Sequence, residues 1–187
     1  MFNGWHEFYG LLGTAAAALL ALLFVAASIG AAVLTPERAG PTRTYLSPVV
    51  FHYSNILFLS LIALIPDMTP VLFGSVIGVA AAGSLIYSVY ILQRLFRDGI
   101  ADLADRLAYG TVPVAVYASG LVVAYLVLTG ATSTGLNVLA ASAMILLIVN
   151  IRNAWDLMLA LARRATQVQR ESASTPPAED AAKSPSP

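Results

Sequence analysis

The chain has 187 residues, of which 58% are hydrophobic and only 11% are charged, and its ten Lys and Arg residues balance its ten Asp and Glu residues. Soluble domains are usually about 45–50% apolar and about 25% charged, so this composition excludes an ordinary soluble domain and indicates a membrane protein. The zero net charge argues against the concentrated basic face of a nucleic-acid-binding protein, and the absence of cysteine excludes disulfides, thiolate metal sites and cysteine nucleophiles.

Five apolar segments are predicted to be membrane-spanning helices, so the predicted fold class is an all-α integral membrane bundle. A helix of about 20 apolar residues crosses the hydrocarbon core of a bilayer. In chain order, the predicted spans are residues 9–34, 49–65, 70–96, 113–129 and 136–162. The first is interpreted as a permanent span rather than a secretory signal, because no Lys or Arg precedes it and its apolar run is too long.

Helix-start signals precede the second and third spans. Ser47 and Pro48 are predicted to be the N-cap and the first residue of the second helix, and Thr69 and Pro70 repeat this pattern for the third. Because only a few residues separate these two spans, we predict a tight turn and two antiparallel neighbouring helices. A small polar turn is predicted at residues 130–135, before the fifth span.

The positively charged residues alternate with the predicted spans. All ten would lie on the cytoplasmic side of a five-span protein with its N-terminus outside and its C-terminus inside, as the positive-inside rule requires. The ten residues are Arg38, Arg43, Arg94, Arg97, Arg106, Arg152, Arg163, Arg164, Arg170 and Lys183. A four-span or six-span protein would break this alternation.

Two further segments are predicted not to span. Residues 97–110 carry several charges but have one apolar helical face, which is typical of an amphipathic interfacial helix or a charged extension of the third span. Residues 170–187 are rich in Ser, Pro, Ala and Glu and are predicted to be a disordered cytoplasmic tail. Residues 1–169 would then form one transmembrane domain, in which residues 150–162 either continue the fifth span or lie on the membrane surface.

The first polar cluster predicted inside the bundle lies in the second span. His52 and Asn55 are three residues apart and share a helix face, and Tyr87 is a further polar candidate in the third span. One interpretation is a solute pathway, because an imidazole changes charge near neutral pH. The other is a cluster that packs helices together near the cytoplasmic headgroups.

A second polar cluster interrupts the apolar pattern near the end of the fifth span. It contains Asn150, Arg152, Asn153, Trp155 and Asp156, and Arg152 and Asp156 are spaced for an ion pair along one helix. It is either a gate or docking site at the cytoplasmic mouth, or an ordinary helix end whose arginine reaches towards the headgroups.

Small residues recur every fourth position in the third span. Gly74 and Gly78 form a GxxxG pattern that Ala82 extends. Such residues let helix backbones approach closely, so they predict a packing seam within one protomer or between two.

Several chemistries lack their residues in this sequence. The predicted topology separates the only two histidines, His6 and His52, across the membrane, so one protomer has no two-histidine site for haem or a metal ion. No nucleotide-binding or zinc-protease motif is present, and no predicted span contains a lysine. We therefore predict no catalytic residue, no cofactor, no metal ion and no enzymatic activity.

Two stretches carry a resemblance to known proteins. Residues 13–28 (GTAAAALLALLFVAAS) and residues 150–157 (NIRNAWDL) resemble a family of small bacterial polytopic membrane proteins whose function is not known. The resemblance covers most of residues 5–162, and the second stretch is the more distinctive. It implies a five-span protein of the bacterial cytoplasmic membrane, but it implies no mechanism.

The sequence favours two functions. The first is a small homo-oligomeric channel or passive conduit for ions or small solutes, because polar residues and small-residue seams occur without any energy-coupling motif. The alternative is a non-catalytic accessory or regulatory subunit that binds another membrane protein. A secondary transporter is less favoured because the sequence has no internal repeat. An enzyme is less favoured because the sequence has no cluster of carboxylate, histidine or cysteine side chains. The expected partners are the lipid bilayer, further copies of the chain or another membrane protein, and not nucleic acid.

Overall fold

The computed structural model describes residues 4–31, 40–98 and 106–174. These residues form five α-helices and contain no β-strand, which confirms the all-α prediction. The helices are α1 (His6–Ala31), α2 (Gly40–Ala63), α3 (Pro70–Asp98), α4 (Val112–Leu128) and α5 (Thr132–Ser174). A turn of π-helix, Arg106–Thr111, leads directly into α4.

Four helical segments are long and apolar enough to cross a membrane. They are His6–Ser28, Pro70–Arg97, Ala108–Leu128 and Thr132–Ala160. The apolar part of α2, Ser47–Ala63, is shorter. These segments coincide closely with the five predicted spans, and within the described residues four of them reach the length expected of a membrane span.

The outer surface of the bundle is apolar. Every helix has large hydrophobic side chains that point outwards from the bundle, and the side chains of Val79 and Ile86 in α3 are 77% and 73% exposed. A soluble monomer rarely exposes so much contiguous apolar surface, because contact with water is unfavourable. Contact with the hydrocarbon of a bilayer would not cost this free energy, so the surface is compatible with a lipid environment.

The helices do not all pack in chain order. α1 packs mainly against α2, α3 against α4, and α4 against α5, while α5 also packs against α2. α2 and α3 are antiparallel, as predicted, because the pairs Ser47–Tyr87 and Asn55–Ser84 both meet across them. Their backbones nevertheless approach each other very little. Larger side chains and a cavity therefore occupy the space between them.

One of the two predicted helix starts is correct. The Leu72 N–H donates to Thr69 Oγ1 at 3.3 Å, so Thr69 caps α3 and Pro70 is its first residue. The prediction for α2 was wrong, because this helix begins at Gly40 and Pro48 lies inside it. A proline removes one backbone N–H donor, and a long helix that packs against others can tolerate this loss.

α5 is longer at both ends than predicted. It begins at Thr132, so residues 132–135 are its first turn and not part of a loop; the Gly135 N–H donates to the Ala131 carbonyl at 3.0 Å. Residues 150–162 continue the helix without a break. The helix ends at Ser174, inside the segment predicted as a tail. Its 43 residues extend over about 65 Å, roughly twice the hydrocarbon thickness of a bilayer.

Other predicted segments lie partly outside the described residues. This applies to the end of the first span at residues 32–34 and to residues 175–187 of the predicted tail. It also applies to residues 99–105, the middle of the predicted interfacial segment, whose beginning belongs to α3.

The small-residue seam of α3 lies inside the protomer, where it contacts α4. A Cβ atom on Gly74 would lie 3.0 Å from Leu128 Cγ, and one on Gly78 would lie 3.2 Å from Ala124 Cβ. From the other side, a Cβ atom on Gly120 would lie 2.9 Å from Ala81 Cβ. Ala82 is only half-buried beside this seam. Of the two interpretations of the GxxxG pattern, the structure supports packing within one chain.

Replacing Gly120 with alanine is expected to lower the free energy of unfolding by about 1–3 kcal/mol, because the added methyl group forces α4 away from α3. Gly83→Ala is the matched control, since no atom lies within 4 Å of a Cβ at that position. Both variants can be compared by unfolding in mixed detergent micelles. Equal stabilities would contradict the close contact between α3 and α4.

Candidate functional site

A cavity of about 70 Å³ lies between α2, α3, α4 and α5. Most of its wall is apolar, and four polar residues also line it. The apolar side chains include Ile56, Ile77, Ala81, Leu139, Ala143 and Leu146. The polar residues are Asn55, Ser84, Tyr117 and Ser142. The cavity thus combines an apolar body with a few hydrogen-bonding groups, as small-molecule sites commonly do.

The cavity opens sideways. Its lining from α4 and α5 is mostly buried, whereas several lining residues of α2 and α3 reach the surface. Phe58 of α2 is 43% exposed, and Leu59 and Ala80 are half-buried. The opening therefore lies between α2 and α3, whose backbones are far apart. It lies within the apolar part of both helices and not at the end of the bundle.

A buried histidine pairs with a tyrosine beside this cavity. His52 is 2% exposed, and its Nδ1 lies 2.8 Å from the Tyr117 hydroxyl oxygen of α4. The tautomer of the imidazole decides which of the two groups donates. His52 lies one turn before Ile56, on the face of α2 that lines the cavity. The contact therefore links α2 to α4 at one end of the cavity.

The other two residues of the first predicted cluster connect α2 with α3. The Ser84 hydroxyl donates to Asn55 Oδ1 at 3.0 Å, and Asn55 Nδ2 donates to the Phe51 carbonyl at 2.9 Å. The Tyr87 ring packs on Phe51 at a centroid distance of 4.3 Å, and its hydroxyl lies 3.3 Å from the Ser47 hydroxyl. The structure therefore brings His52, Asn55 and Tyr87 together on one side of the cavity.

Among the buried polar side chains that have atoms without a hydrogen-bond partner, three lie about one helical turn beyond the cavity. They are the Tyr53 hydroxyl, the Ser88 hydroxyl, and both the nitrogen and the oxygen of the Asn150 amide. Each lies about one turn from a residue that lines the cavity, on the same helix face. These lining residues are Ile56, Ser84 and Leu146. We call Tyr53, Ser88 and Asn150 the polar end layer.

The helix directions place the polar end layer at one end of the bundle. α2 and α4 are each antiparallel to α3, and α5 is antiparallel to α4. Therefore α3 and α5 both run towards this end of the bundle, and α2 runs away from it. The Ser119 and Ser142 hydroxyls, 2.8 Å apart, fix the register between α4 and α5. At the opposite end, only the Tyr9 hydroxyl is a buried side-chain group without a partner among the described residues.

The second predicted cluster is divided between two faces of α5. Asn150 is completely buried, whereas the Arg152 and Asp156 side chains are 49% and 41% exposed and lie 3.7 Å apart. The predicted pairing along the helix is present, but an exposed pair of this kind adds little stability. Asn150 therefore lies inside the bundle, one helical turn beyond the cavity-lining Leu146, and Arg152 and Asp156 belong to the outer surface.

A neighbouring asparagine fixes the π-helical turn to α5. The Asn153 side-chain nitrogen donates to the Ala108 carbonyl at 3.2 Å, and the Tyr109 hydroxyl donates to the Asn153 carbonyl at 2.8 Å. Asn153 Oδ1 has no partner. Asn153 therefore has a structural role, and it closes the bundle next to the polar end layer.

The sequence did not single out several residues of this site. Ser84, Ser88, Tyr117 and Ser142 were not among the predicted site residues. Single serines are common in apolar helices, so the only available signal was the four-residue spacing of Ser84 and Ser88 on one face of α3. Which serine meets a neighbouring helix depends on the packing. The described residues contain no cluster of three or more His, Asp or Glu side chains that could hold a metal ion.

Tyr117→Phe is expected to lower the free energy of unfolding by about 1–3 kcal/mol, because it leaves the buried His52 Nδ1 without its partner. Tyr125→Phe removes the same hydroxyl group from a side chain of α4 that is 67% exposed, and it should have almost no effect. Unfolding of both variants in detergent micelles measures the difference. A stability of Tyr117→Phe equal to that of the control would mean that the hydrogen bond is not important.

The chain matches no protein-family model, no curated protein and no solved structure. The resemblance of residues 13–28 and 150–157 to a family of small bacterial membrane proteins therefore stays a prediction.

Proposed function

We propose that this protein is a small, non-catalytic membrane protein that takes an uncharged small molecule from the bilayer into its helix bundle. The observation that carries this proposal is the cavity between α2 and α3, which opens sideways in the apolar part of the bundle and has hydrogen-bonding groups in its wall. Four helices that are long and apolar enough to cross a membrane support the location.

The lining of the cavity favours an uncharged ligand. It contains no Asp, Glu, Lys or Arg, and its polar groups belong to Asn55, Ser84, Tyr117 and Ser142. Moving an ion out of water into such surroundings costs far more than these groups return. These groups already form hydrogen bonds within the protein, Asn55 with Ser84, Tyr117 with His52 and Ser142 with Ser119. The cavity itself therefore offers a ligand a mainly apolar contact surface.

The size of the cavity limits the part of the ligand that it encloses. A cavity of about 150 Å³ in another protein accommodates benzene, so about 70 Å³ corresponds to roughly three heavy atoms. A larger molecule would extend past Phe58 into the surrounding lipid. The proposed ligand is therefore either very small or a longer chain that inserts one end.

A homo-oligomeric channel remains a second proposal. An axial pore would need a polar face on the outside of each protomer, and the pathway candidates His52 and Asn150 are buried inside it. The exposed face of α1 carries hydroxyl and small residues, among them Thr14 and Ser28, and is the part of the outer surface most suited to such a contact. The pore would then be lined by residues other than those predicted.

An accessory subunit is favoured by a different observation. α5 continues for 14 residues beyond the part that is apolar enough to span, from Ala160 to Ser174. Just before this extension, Trp155 is 65% exposed, next to the exposed Arg152–Asp156 pair. An aromatic ring beside charged groups is a common composition for a protein contact.

Ala143→Leu is expected to fill the cavity, because Ala143 is buried in its wall. Ala141→Leu adds the same atoms at an exposed position of α5 and is the control. Wild type and both variants would be purified from their native membrane in mild detergent, and bound small molecules would be extracted and identified by mass spectrometry. We expect a molecule that is retained by wild type and Ala141→Leu and depleted at least about tenfold in Ala143→Leu. Identical extracts from all three proteins would refute the proposed ligand.

A photoreactive amino acid at position 14, on the exposed face of α1, tests the homo-oligomer in native membranes, and one at position 155 tests the accessory subunit. A crosslink from position 14 to a second copy of the chain would favour the homo-oligomer, and a crosslink from position 155 to a different membrane protein would favour the accessory subunit. The same amino acid at position 157 is the control, because Leu157 is buried within the protomer and should yield no intermolecular product. The absence of any intermolecular crosslink from either position would contradict a contact at that surface.

A further inference from the structure

We infer that Asn150 binds the polar group of the ligand, and that this group presents a hydrogen-bond donor and an acceptor side by side, as a primary carboxamide or a protonated carboxylic acid does. This inference deepens the proposed function and rests on it. It names the end of the ligand that the bundle recognises and the class of molecule to which the ligand belongs.

The hydrogen bonding of Asn150 carries the inference. Its side chain is 0% exposed, and neither its nitrogen nor its oxygen has a partner. Buried polar groups in proteins are nearly always hydrogen-bonded, since leaving them unpaired is costly. The asparagine amide has a donor and an acceptor on adjacent atoms. A second amide or a protonated carboxyl group can satisfy both atoms at once through two antiparallel hydrogen bonds.

The position of Asn150 connects this group to the cavity. Leu146 lines the cavity, and Asn150 follows it by four residues on the same face of α5. One helical turn advances about 5.4 Å, which is about the length of a chain of four carbon atoms. A short apolar chain in the cavity would therefore place its terminal polar group beside Asn150.

The rest of the polar end layer supports the same ligand. Tyr53 of α2 and Ser88 of α3 are each 2% exposed or less, and their hydroxyl oxygens also have no partner. A hydroxyl group can donate or accept, so these two groups can complete the hydrogen bonds of an amide or a carboxyl group. Unpaired groups from three helices thus lie at the same end of the bundle, each about one turn beyond the cavity lining. Asn55 and Ser84, by contrast, already bond to each other.

The ligand probe is butanamide, which has a three-carbon apolar chain and a primary amide. Pentan-2-one has nearly the same shape but replaces the amide nitrogen with a methyl group, so it keeps the acceptor and lacks the donor. Butanoic acid, compared below and above the pH at which it ionises, distinguishes a protonated acid from an amide. The full-length protein in lipid nanodiscs, labelled with nitrogen-15, would be titrated with each compound.

Butanamide is expected to shift the side-chain amide signals of Asn150 saturably in the NMR spectrum and to raise the melting temperature by about 3 °C at saturating concentration. Pentan-2-one should do neither. A response to protonated butanoic acid alone would identify the ligand as an acid, and a response to butanamide alone would identify it as an amide. Unchanged Asn150 signals with both compounds, equal shifts with pentan-2-one, or contacts with water alone would overturn the inference.

Two variants separate the role of Asn150 from general stability. Asn150→Leu keeps the branched shape and the number of side-chain heavy atoms and should abolish the rise in melting temperature with butanamide, whereas Asn137→Leu, at an exposed position of α5, should keep it. If Asn150→Leu does not fold, the NMR titration of the wild-type protein still tests whether butanamide binds to Asn150, because it needs no variant. The inference and the proposed function can be refuted independently of each other. Butanamide can shift the Asn150 signals even if Ala143→Leu depletes no native molecule, and a depleted native molecule can lack an amide or acid group.

Discussion

Polar groups in apolar surroundings must find their hydrogen-bond partners within the protein, because no water is present to supply them. This constraint explains the arrangement of hydroxyl groups in the bundle. On the outer face, Thr14, Ser28 and Ser54 each donate to the carbonyl oxygen four residues earlier in their own helix, at 2.8–2.9 Å. Inside the bundle, Ser84 and Ser119 bond to side chains of a neighbouring helix. These three exposed hydroxyl groups are therefore satisfied locally, whereas Ser84 and Ser119 link helices; the buried Ser60 donates to the Ile56 carbonyl of its own helix.

The same constraint makes the polar end layer unusual. Unpaired atoms of Tyr53, Ser88 and Asn150 remain at one end of the bundle, whereas at the other end Tyr9 has the single unpaired buried hydroxyl group among the described residues. In the proposed function, a molecule bound in the neighbouring cavity would supply the missing hydrogen bonds. The sideways opening near Phe58 gives such a molecule a route from the surrounding lipid. The proposed function therefore depends on two neighbouring features of the fold, the cavity and the polar end layer.

Close packing on one side of the bundle leaves room for the cavity on the other. Gly74, Gly78 and Gly120 bring α3 and α4 into near contact of their backbones. α2 and α3 lack such a seam and are separated by the aromatic pair of Phe51 and Tyr87. The result is an asymmetric bundle, with tight contacts between α3 and α4 and an open edge between α2 and α3. Small residues thus position the site without contributing a polar group to it.

Local chemistry determined much of this protein in advance. Hydropathy alone was sufficient for the all-α fold and the approximate limits of the apolar segments, and the Thr69–Pro70 signal marked the start of α3, because these features depend on neighbours in the chain. The start of α2 was mispredicted, since a local rule for proline cannot show that a helix continues on both sides of Pro48. His52, Asn55 and Asn150 were recognised as unusual for their apolar helices. Their surroundings were decided only by the tertiary structure.

Tertiary packing paired His52 with Tyr117, placed Gly74 and Gly78 inside one protomer, and separated Asn150 from Arg152 and Asp156. It also created the cavity, which no sequence pattern indicated. The physical reason is that helical periodicity shows which residues share a face, whereas the facing helix and the space left between two helices depend on how side chains far apart in the chain fit together.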